Sequence, residues 1–278
     1  MRAPHQDSPR QHLWHIGRYS VADQLRFAWQ SRRVWWFTAT ARTRARFTRT
    51  KLGSLWLGLT NLLSIAALAS VYGTVFKVER FDDYVVYLGI GLVLWNSLSS
   101  AIGSAPTLLE QNRDSIINLN LPPVFYPLQE WAFQIQTFAQ SFLLVLMALT
   151  WYNHKLFLNL ILVALPGLLN FFAAMFWLPL LVCLLGARFK DLYQLVPVVL
   201  QLVFLLSPIM YWRESLGAMA WIASLNPLYQ AFAPLRDALI YGEGHPVRQL
   251  VLLFMNLIGL VASLKLLQRD SGILPFLV

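Results

Sequence analysis

The sequence has few charged residues and a single cysteine. Only 13% of its 278 residues are charged, while 57% are apolar, whereas soluble globular domains average roughly 25% charged residues. This deficit excludes an ordinary soluble domain and indicates a membrane protein. The lone Cys183 excludes an intrachain disulfide, and its place inside an apolar run favours a packing role.

The motifs of several enzyme classes are also missing. The sequence contains no GxxxxGK[ST] phosphate loop, no HExxH zinc motif and no GxSxG nucleophile motif. His12 and His15 have the spacing to share a helix face, but no third ligand lies near them in the sequence. We therefore predict no catalytic residue and no metal site in this chain.

Long apolar runs are what the sequence has in abundance. A spanning helix needs about 20 predominantly apolar residues, and six charge-free runs approach or exceed that length. They are residues 52–76, 84–109, 131–153, 156–187, 192–212 and 249–264. A seventh run, 215–235, contains Gly217, Pro227 and Pro234, which interrupt helices. We predict that this run is broken, re-entrant or interfacial.

The distribution of Lys and Arg predicts the topology. With six spans, the segments expected in the cytoplasm hold 16 of the 22 basic residues, and 11 of these lie in residues 1–51. Short basic loops stay in the cytoplasm, so both termini are predicted there. The predicted fold is an all-α integral membrane protein, with a basic arm (1–51) and a six-helix transmembrane domain (52–278), in which the interrupted run 215–235, as short re-entrant helices or an interfacial segment, lies on the periplasmic side.

The basic arm is predicted to contain an amphipathic helix in the membrane interface. Ser20 and Asp23 can form a capping box at its start. The apolar residues that recur on roughly one face are Val21, Leu25, Ala28, Trp29 and Trp36. The net charge of +9 could indicate a nucleic-acid partner, but binding of the arm to anionic membrane lipid explains the charge, so no nucleic-acid partner is predicted.

The predicted spans carry uncharged polar side chains and no ionisable Asp, Glu, Lys or Arg. Asn61, Ser64 and Tyr72 lie in the first span, and amides and hydroxyls follow in the second and third. Such groups either join helices or line a passage for a polar, uncharged solute. The absence of charge argues against ion-coupled transport.

Four stretches, in order, resemble one family. They are RARFTRTKLGSLW from Arg44 to Trp56, NLNLPPVFYPL, GARFKDLYQLVPVVLQ, and SPIMYW followed by LNPLYQAFAPLRDAL. Together they resemble the permeases of ABC transporters that export polysaccharides, over residues 42–267. The sequence departs from the family pattern at Arg42, where many members have an acidic residue, and at Asn61, where many have proline.

The resemblance implies a homodimer in the bacterial inner membrane that is driven by two copies of a nucleotide-binding subunit. Mg-ATP would bind to that partner, so no cofactor is expected in this chain. The implied substrate is a lipid-linked polysaccharide moved from cytoplasm to periplasm, either O-antigen or capsule, and periplasmic or outer-membrane export proteins are candidate partners. Two alternatives stay open: an ABC permease for a drug or small lipid, and a membrane-embedded sugar-transfer enzyme.

The resemblance also implies three groups of site residues. The contacts with the nucleotide-binding subunit are expected at Asn112, Arg113, Asp114, Asn118, Arg188, Lys190 and Asp191. The entrance beside the first span is expected at Arg44, Arg46 and Phe47. The channel is expected at Trp56, Asn61, Tyr72, Phe76, Trp95, Trp177, Tyr211, Trp212 and Tyr229. Independently, NRDSIINL predicts a short helix that ends at the following LPP, and Arg236 and Asp237 are expected to pair near the outer rim.

Overall fold

The computed structural model describes residues 20–75, 77–119 and 121–272, and all regular structure in these ranges is helical. The helices are α1 (Val21–Gln30), α2 (Arg32–Phe47), α3 (Leu55–Val75), α4 (Phe81–Ser104), α5 (Leu108–Gln111), α6 (Arg113–Asn118), α7 (Phe125–Leu149), α8 (Leu156–Leu162), α9 (Leu165–Arg188), α10 (Leu192–Leu206), α11 (Ala220–Leu225), α12 (Pro227–Tyr241) and α13 (Pro246–Asp270). A 3-10 segment, Arg213–Met219, precedes α11. The all-helical prediction is confirmed for these residues.

Within the described ranges, five helices are long and apolar enough to cross a membrane. They are α3, α4, α7, α9 and α13, with 21 to 25 residues each. The fifth predicted span is shorter than expected, because α10 has 15 residues and the chain becomes extended at Ser207, before Pro208. A helix of that length falls below the roughly 20 residues that a bilayer requires, so the count of six spans stays a prediction.

The apolar runs misplace several helix ends. The run 156–187 is two helices, because the amides of Val163 and Ala164 both donate to the carbonyl oxygen of Asn159, at 2.9 Å, and Pro166 then fits the first turn of α9. The helix in the run 84–109 is α4, and it already ends at Ser104. Helix α7 begins at Phe125, six residues before the predicted start of the span 131–153. A run of apolar residues indicates the part of a helix that can lie in the membrane core. It does not show the polar turns by which the helix continues beyond that part.

Helix α4 is the centre of the bundle. In its most apolar stretch 78% of the residues are buried, against 17% in α3. It packs against α3, α7, α9, α10 and α12, and its fully buried side chains include Leu88, Leu94 and Leu98. The apolar outer surface of α3 is therefore left for lipid or another protein chain to cover.

Amide side chains join α9 to α13. Asn170 donates to Gln249 Oε1 at 2.9 Å, and Asn256 donates to Asn170 Oδ1 at 3.1 Å. The indole of Trp177 donates to Asn256 at 2.9 Å and lies against Gly259, where a Cβ atom would come within 2.4 Å of the ring. Hydrogen bonds between helices and a glycine that permits close approach fix the register of this pair.

The amphipathic segment is two helices rather than one. The predicted capping box is present, since the Ser20 hydroxyl accepts from the Asp23 amide and the Asp23 carboxylate accepts from the Ser20 amide, each at 3.1 Å. The Asp23 carboxylate also accepts from the Ser20 hydroxyl at 2.8 Å, and this hydrogen bond, together with the one from the Ser20 amide, lowers the pKa of Asp23. The chain then breaks at Ser31, and the predicted single face is partly wrong. Val21 and Ala28 pack on the protein, whereas Trp29 is 71% exposed.

The other two residues of the predicted face are exposed, as Trp29 is. Leu25 is 50% exposed and Trp36 is 43% exposed. The face divides because Val21 and Ala28 are turned toward the bundle, while Leu25, Trp29 and Trp36 are available to a lipid surface. Exposed Trp and Leu side chains beside arginines are typical of a helix that lies in the headgroup region.

The segment after α10 is interrupted, as predicted. It comprises the 3-10 segment with Gly217 at a φ of 49°, then α11 and α12. Asn226 caps α12, because its Oδ1 accepts from the amides of Leu228 at 3.1 Å and Tyr229 at 3.2 Å, and Pro227 fills the first helical position. That these short helices re-enter the membrane stays a prediction.

Candidate functional site

A groove without ionisable side chains lies between α4 and α10. It has a volume of 580 Å³, and it is lined by Trp95, Asn96, Ser99, Ser100, Gly103, Pro197, Leu200, Gln201 and Phe204. Asn96, Ser100 and Gln201 are exposed in the single chain. Polar side chains on the outer face of helices that are otherwise apolar are costly in contact with lipid tails. This face is therefore suited to a polar solute, water or another protein chain.

Asn61 connects this face to the bundle. Its amide nitrogen donates to Ser141 Oγ at 2.7 Å and to the Leu57 carbonyl at 2.9 Å, while its Oδ1 accepts from Asn96 at 2.8 Å. The side chain thus joins α3, α4 and α7. The hydrogen-bonding capacity of this predicted channel residue is largely used between helices, which corresponds to the helix-joining role of uncharged polar groups.

The aromatic residues expected along a channel do not form one path in the chain. Trp95 lines the uncharged groove but is only 5% exposed, and Tyr229 is 1% exposed. Trp177 is held between α9 and α13, as described above. Spacing along the chain gave no information about which face of each helix packs inward, and the assignment of these rings to a channel stays a prediction.

The other predicted rings are distributed over both ends of the molecule. Trp56 is 42% exposed at the start of α3, Tyr72 is half-buried near its end, and Tyr211 and Trp212 lie in the extended segment after α10. Phe76 lies outside the described residues. Among the described residues predicted for the channel, Trp95 lines the uncharged groove directly, and Asn61 is joined to it by the hydrogen bond from Asn96.

Two of the three residues expected at an entrance line one pocket. Arg44 and Phe47 of α2 face Gln136 and Gln140 of α7 across a space of 430 Å³. Arg46 lies outside the pocket lining, with its guanidinium 5.6 Å from the Phe47 ring. The pocket combines a cation, an aromatic ring and amides at the level where the interface helices meet the bundle.

The short helix predicted in NRDSIINL is present as α6. It begins at Arg113 and ends at Asn118, with no buried residue, and Leu119 after it is extended. Arg113, Asp114 and Asn118 are exposed, while the Asn112 amide is used locally, donating to the Leu108 carbonyl at 2.7 Å. The end of the molecule that carries α6 is called the α6 end below. The exposed helix is available for docking a second protein.

The loop between α9 and α10 contacts the α5–α6 segment. Glu110 accepts from the Tyr193 hydroxyl at 2.7 Å, and its carboxylate is 3.9 Å from the Lys190 ammonium. Asp191 is exposed at the start of α10. The two predicted contact regions are thus joined to each other through Glu110, a residue that the sequence did not assign to the contact.

Arg188 differs from the expectation of a free loop residue. It ends α9, and its guanidinium binds the buried Asp270 carboxylate at the end of α13 through two hydrogen bonds, one of them 3.1 Å long from Nε. The pair leaves Asp270 1% exposed. Arg188 therefore holds α9 to α13 and is less available to another protein than Lys190 and Asp191.

Glu130 is a functional-site candidate that the sequence placed in a loop. It lies inside α7 with a side chain 6% exposed, where it pairs with Arg42 of α2 and accepts from Gln134 at 2.8 Å. The Arg42 guanidinium also lies 4.2 Å from the Phe133 ring. Glu130 precedes the predicted span 131–153 and lies in the second turn of α7, so the prediction of spans without Asp, Glu, Lys or Arg stays a prediction. The unusual basic residue at position 42 was the sequence signal for this pair.

Arg236 is buried rather than placed at an outer rim. It is 2% exposed, lies 4.2 Å from the Tyr87 ring, and donates to the Pro208 carbonyl at 2.8 Å and the Tyr229 hydroxyl at 2.9 Å. Its ion pair with Asp237 is present at 3.1 Å. This cation fixes the extended segment after α10 against α4 and α12, and it accounts for the burial of Tyr229.

Comparison with known proteins gave one family. Residues 36–240 match the model of the ABC-2 type transporter, while a search of the curated proteins gave no match. The matched range begins in α2 and ends in α12, so it includes the uncharged groove, α6 and the loop before α10. The chain therefore belongs to the ABC-2 type transporter family, as a multi-pass membrane permease of an ABC exporter that works with a nucleotide-binding partner.

Proposed function

We propose that this permease moves a lipid-linked polysaccharide, O-antigen or capsule, from the cytoplasm to the periplasm across the bacterial inner membrane. It acts as a homodimer with two copies of the nucleotide-binding subunit, which bind Mg-ATP, and its termini are cytoplasmic. The uncharged groove between α4 and α10 is the observation that carries the proposal. The four sequence stretches that resemble polysaccharide exporters support the same substrate class.

The chemistry of the groove suits a hydroxyl-rich polymer. Asn96, Ser99, Ser100 and Gln201 present donors and acceptors without charge, and these groups can exchange hydrogen bonds with successive sugar hydroxyls as a chain slides. A permease for an apolar drug or small lipid would be better served by an apolar lining, because unpaired polar groups oppose the transfer of an apolar solute. The groove therefore favours the polysaccharide over that alternative.

The exposed position of the groove supports a homodimer. A single chain leaves Asn96, Ser100 and Gln201 open to lipid, where unsatisfied amides and hydroxyls each cost about 1–3 kcal/mol. A second copy that covers the α4–α10 face would exclude lipid and enclose a polar passage between the two chains.

The contacts at the α6 end support the coupling role. An exposed helix with Arg113 and Asp114 in its first turn offers both signs of charge to a cleft on a partner. Because Glu110 joins the α5–α6 segment to Lys190 and Tyr193, a partner that moves α6 also acts on the first turn of α10. One wall of the groove is formed by α10, so ATP-driven movement reaches the passage by this route.

The pocket beside α2 supports the entrance. Arg44 supplies a cation that can pair with the phosphate of a lipid carrier, and Phe47 with the glutamines provides a ring and amides for the first sugar. Arg46 lies next to this pocket on the same helix and adds a second positive charge. The interface helices thus bring a lipid-anchored substrate to the bundle at the level of the headgroups.

The substrate is tested by export from cells whose only copy of the permease is a variant. Ser100→Leu and Gln201→Leu are expected to lower surface polysaccharide several-fold, with the protein inserted at wild-type levels. Ser70→Leu is the control, because Ser70 is exposed on α3 about two and a half turns after Asn61, on the opposite face. Wild-type surface polysaccharide in both groove variants would show that the groove is not the passage.

The coupling role is tested by purification with the nucleotide-binding partner. Arg113→Glu is expected to reduce ATP hydrolysis by the purified complex or the yield of bound partner. Lys265→Glu reverses an exposed charge near the end of α13, at the same end of the bundle, and is expected to retain both. Equal complex formation and hydrolysis in the two variants would remove α6 from the coupling interface.

A further inference from the structure

A large cavity lies at the end of the bundle opposite α6. It has a volume of 790 Å³ and opens to the outside, which is within the range of about 300–1,000 Å³ that is usual for ligand sites. Its wall is formed by the loop between α3 and α4 with the start of α4, by the loop after α7, by the segment after α10 and by the end of α12. Four separate parts of the chain converge here, so the cavity is a product of the fold rather than of one loop.

One wall of the cavity is aromatic and held in place. Trp212 packs on Tyr87 with ring centroids 4.2 Å apart. The Tyr84 hydroxyl donates to the Met210 carbonyl at 2.8 Å, and the Tyr211 hydroxyl donates to the Leu205 carbonyl at 3.0 Å. Rings fixed by such contacts offer apolar surface with little conformational entropy left to lose on binding.

The facing wall is polar and carries both signs of charge. Glu79 and Asp83 supply carboxylates, and Arg80 pairs with Asp83 at 2.6 Å in an exposed position. Asn153 adds an amide, fixed by its donation to the Ile240 carbonyl at 3.4 Å. Tyr241 adds a phenol hydroxyl, which can donate a hydrogen bond.

We propose that this cavity, lined by Trp212 and Asp83, is a carbohydrate-binding site that holds a short stretch of the emerging polymer. This inference rests on the proposed function and adds a site separate from the uncharged groove. The apolar faces of sugar rings pack on the aromatic wall, while the carboxylates accept hydrogen bonds from sugar hydroxyls. An acyl chain or apolar drug would desolvate Glu79 and the Arg80–Asp83 pair without offering hydrogen bonds in return, which is unfavourable.

The position of the site assigns it a role in export. It lies at the opposite end from α6, where the proposed topology places the periplasm, and beside the extended segment that Arg236 fixes to α4. A site that holds sugars weakly at this end retains each unit that has left the groove and opposes its return. The carboxylates also make the site distinct from the groove, whose lining contains no ionisable residue.

The test is direct binding by the purified permease in lipid nanodiscs. The probes are oligosaccharides of one to three repeating units, prepared from the surface polysaccharide of the cells that contain this protein, and binding is measured by saturation-transfer NMR and calorimetry. Wild-type protein is expected to bind saturably. Trp212→Ala and Asp83→Asn are expected to bind at least about tenfold more weakly, which corresponds to about 1.4 kcal/mol.

Two controls keep the result interpretable. Trp151→Ala removes a tryptophan that is 82% exposed just after α7 and outside the cavity lining, and it is expected to bind as wild type does. Asp83 has a half-exposed side chain, so Asp83→Asn is expected to fold even if Trp212→Ala does not, and thermal unfolding checks both. Absence of saturable binding by the wild type, or equal binding by the wild type and Asp83→Asn, overturns the inference.

A separate measurement distinguishes this inference from the proposed function. Deleting the permease gene and quantifying surface polysaccharide tests export without reference to the cavity. Loss of surface polysaccharide together with no oligosaccharide binding would refute the cavity site alone. Unchanged surface polysaccharide would refute the export function, while binding that depends on Trp212 and Asp83 would still establish the carbohydrate site.

Discussion

The ion pair between Arg42 and Glu130 gives a stability prediction that can be worked out from the structure. Replacing Arg42 with Met leaves the Glu130 carboxylate, 6% exposed, with one close hydrogen bond from Gln134 at 2.8 Å. Breaking a fully buried pair costs about 3–5 kcal/mol. Because the Arg42 side chain is 46% exposed, water screens the interaction, and we expect a loss of about 2 kcal/mol, nearer the value for one charged hydrogen bond.

A double-mutant cycle isolates the interaction from other effects of Arg42. In the Glu130→Gln background the Arg42 guanidinium faces a neutral amide, so Arg42→Met is expected to cost about 1 kcal/mol or less, the part due to its contact with Phe133. The coupling between the two positions is then about 1 kcal/mol or more. The free energy of unfolding is measured by denaturant titration of the purified protein in mixed micelles.

Arg33→Met is the matched control, because Arg33 is exposed on the same helix α2. It is expected to change the free energy of unfolding by no more than about 0.5 kcal/mol. The reasoning is refuted if Arg42→Met costs no more than Arg33→Met, or if it costs the same with Glu130 and with Gln at position 130. Either result would mean that the pair does not hold α2 to α7.

Three further predictions concern the ends of the bundle. Arg188→Met should destabilise the protein more than Asp270→Asn does, because it leaves the 1% exposed Asp270 carboxylate unpaired; thermal unfolding of the two purified variants measures the difference. Gly186→Ala should lower the melting temperature, since its Cβ atom would come within 2.6 Å of backbone in the loop after α4. Gly53→Ala is the comparison for backbone strain alone. Its Cβ atom would meet nothing within 4 Å, but the φ of 56° is strained for alanine. The capping box should protect α1 above the unfolded pKa of Asp23, 3.8, and this protection should be lost as the pH falls through the lower folded value; hydrogen exchange of α1 in wild type and Ser20→Ala checks it.

The parts of the fold that could be predicted from the sequence are those with local causes. Ser20 begins α1 because its hydroxyl and the Asp23 carboxylate satisfy the first free amides. Helix α6 ends before the Pro122–Pro123 pair, since proline offers no amide to continue a helix and restricts the residue before it. Apolar run length also identified α3, α4, α7, α9 and α13 as membrane-crossing candidates.

The parts that could not be predicted depend on partners far apart in the sequence. Arg42 and Glu130 are 88 residues apart, and Arg188 and Asp270 are 82 residues apart. No local pattern indicates which distant charge a residue will meet. Spacing along one helix likewise gives no account of which neighbours cover it, so the burial of Tyr229 beneath Arg236 could not be inferred from the aromatic positions.

The location of these charges has a consequence for how the bundle can open. The ion pairs join α2 to α7, α9 to α13, and α12 to α13 through Asp237 and Arg248 at 3.2 Å. A separation of α2 from α7 would leave Glu130 desolvated and unpaired, and a separation of α9 from α13 would do the same to Asp270. Along the groove, α4 and α10 are joined by no ion pair among the described residues, and the side chains that line it are uncharged. Parting these two helices breaks no ion pair and exposes amides and hydroxyls that water or sugar can satisfy, so the bundle can open at the groove without leaving a buried charge unpaired.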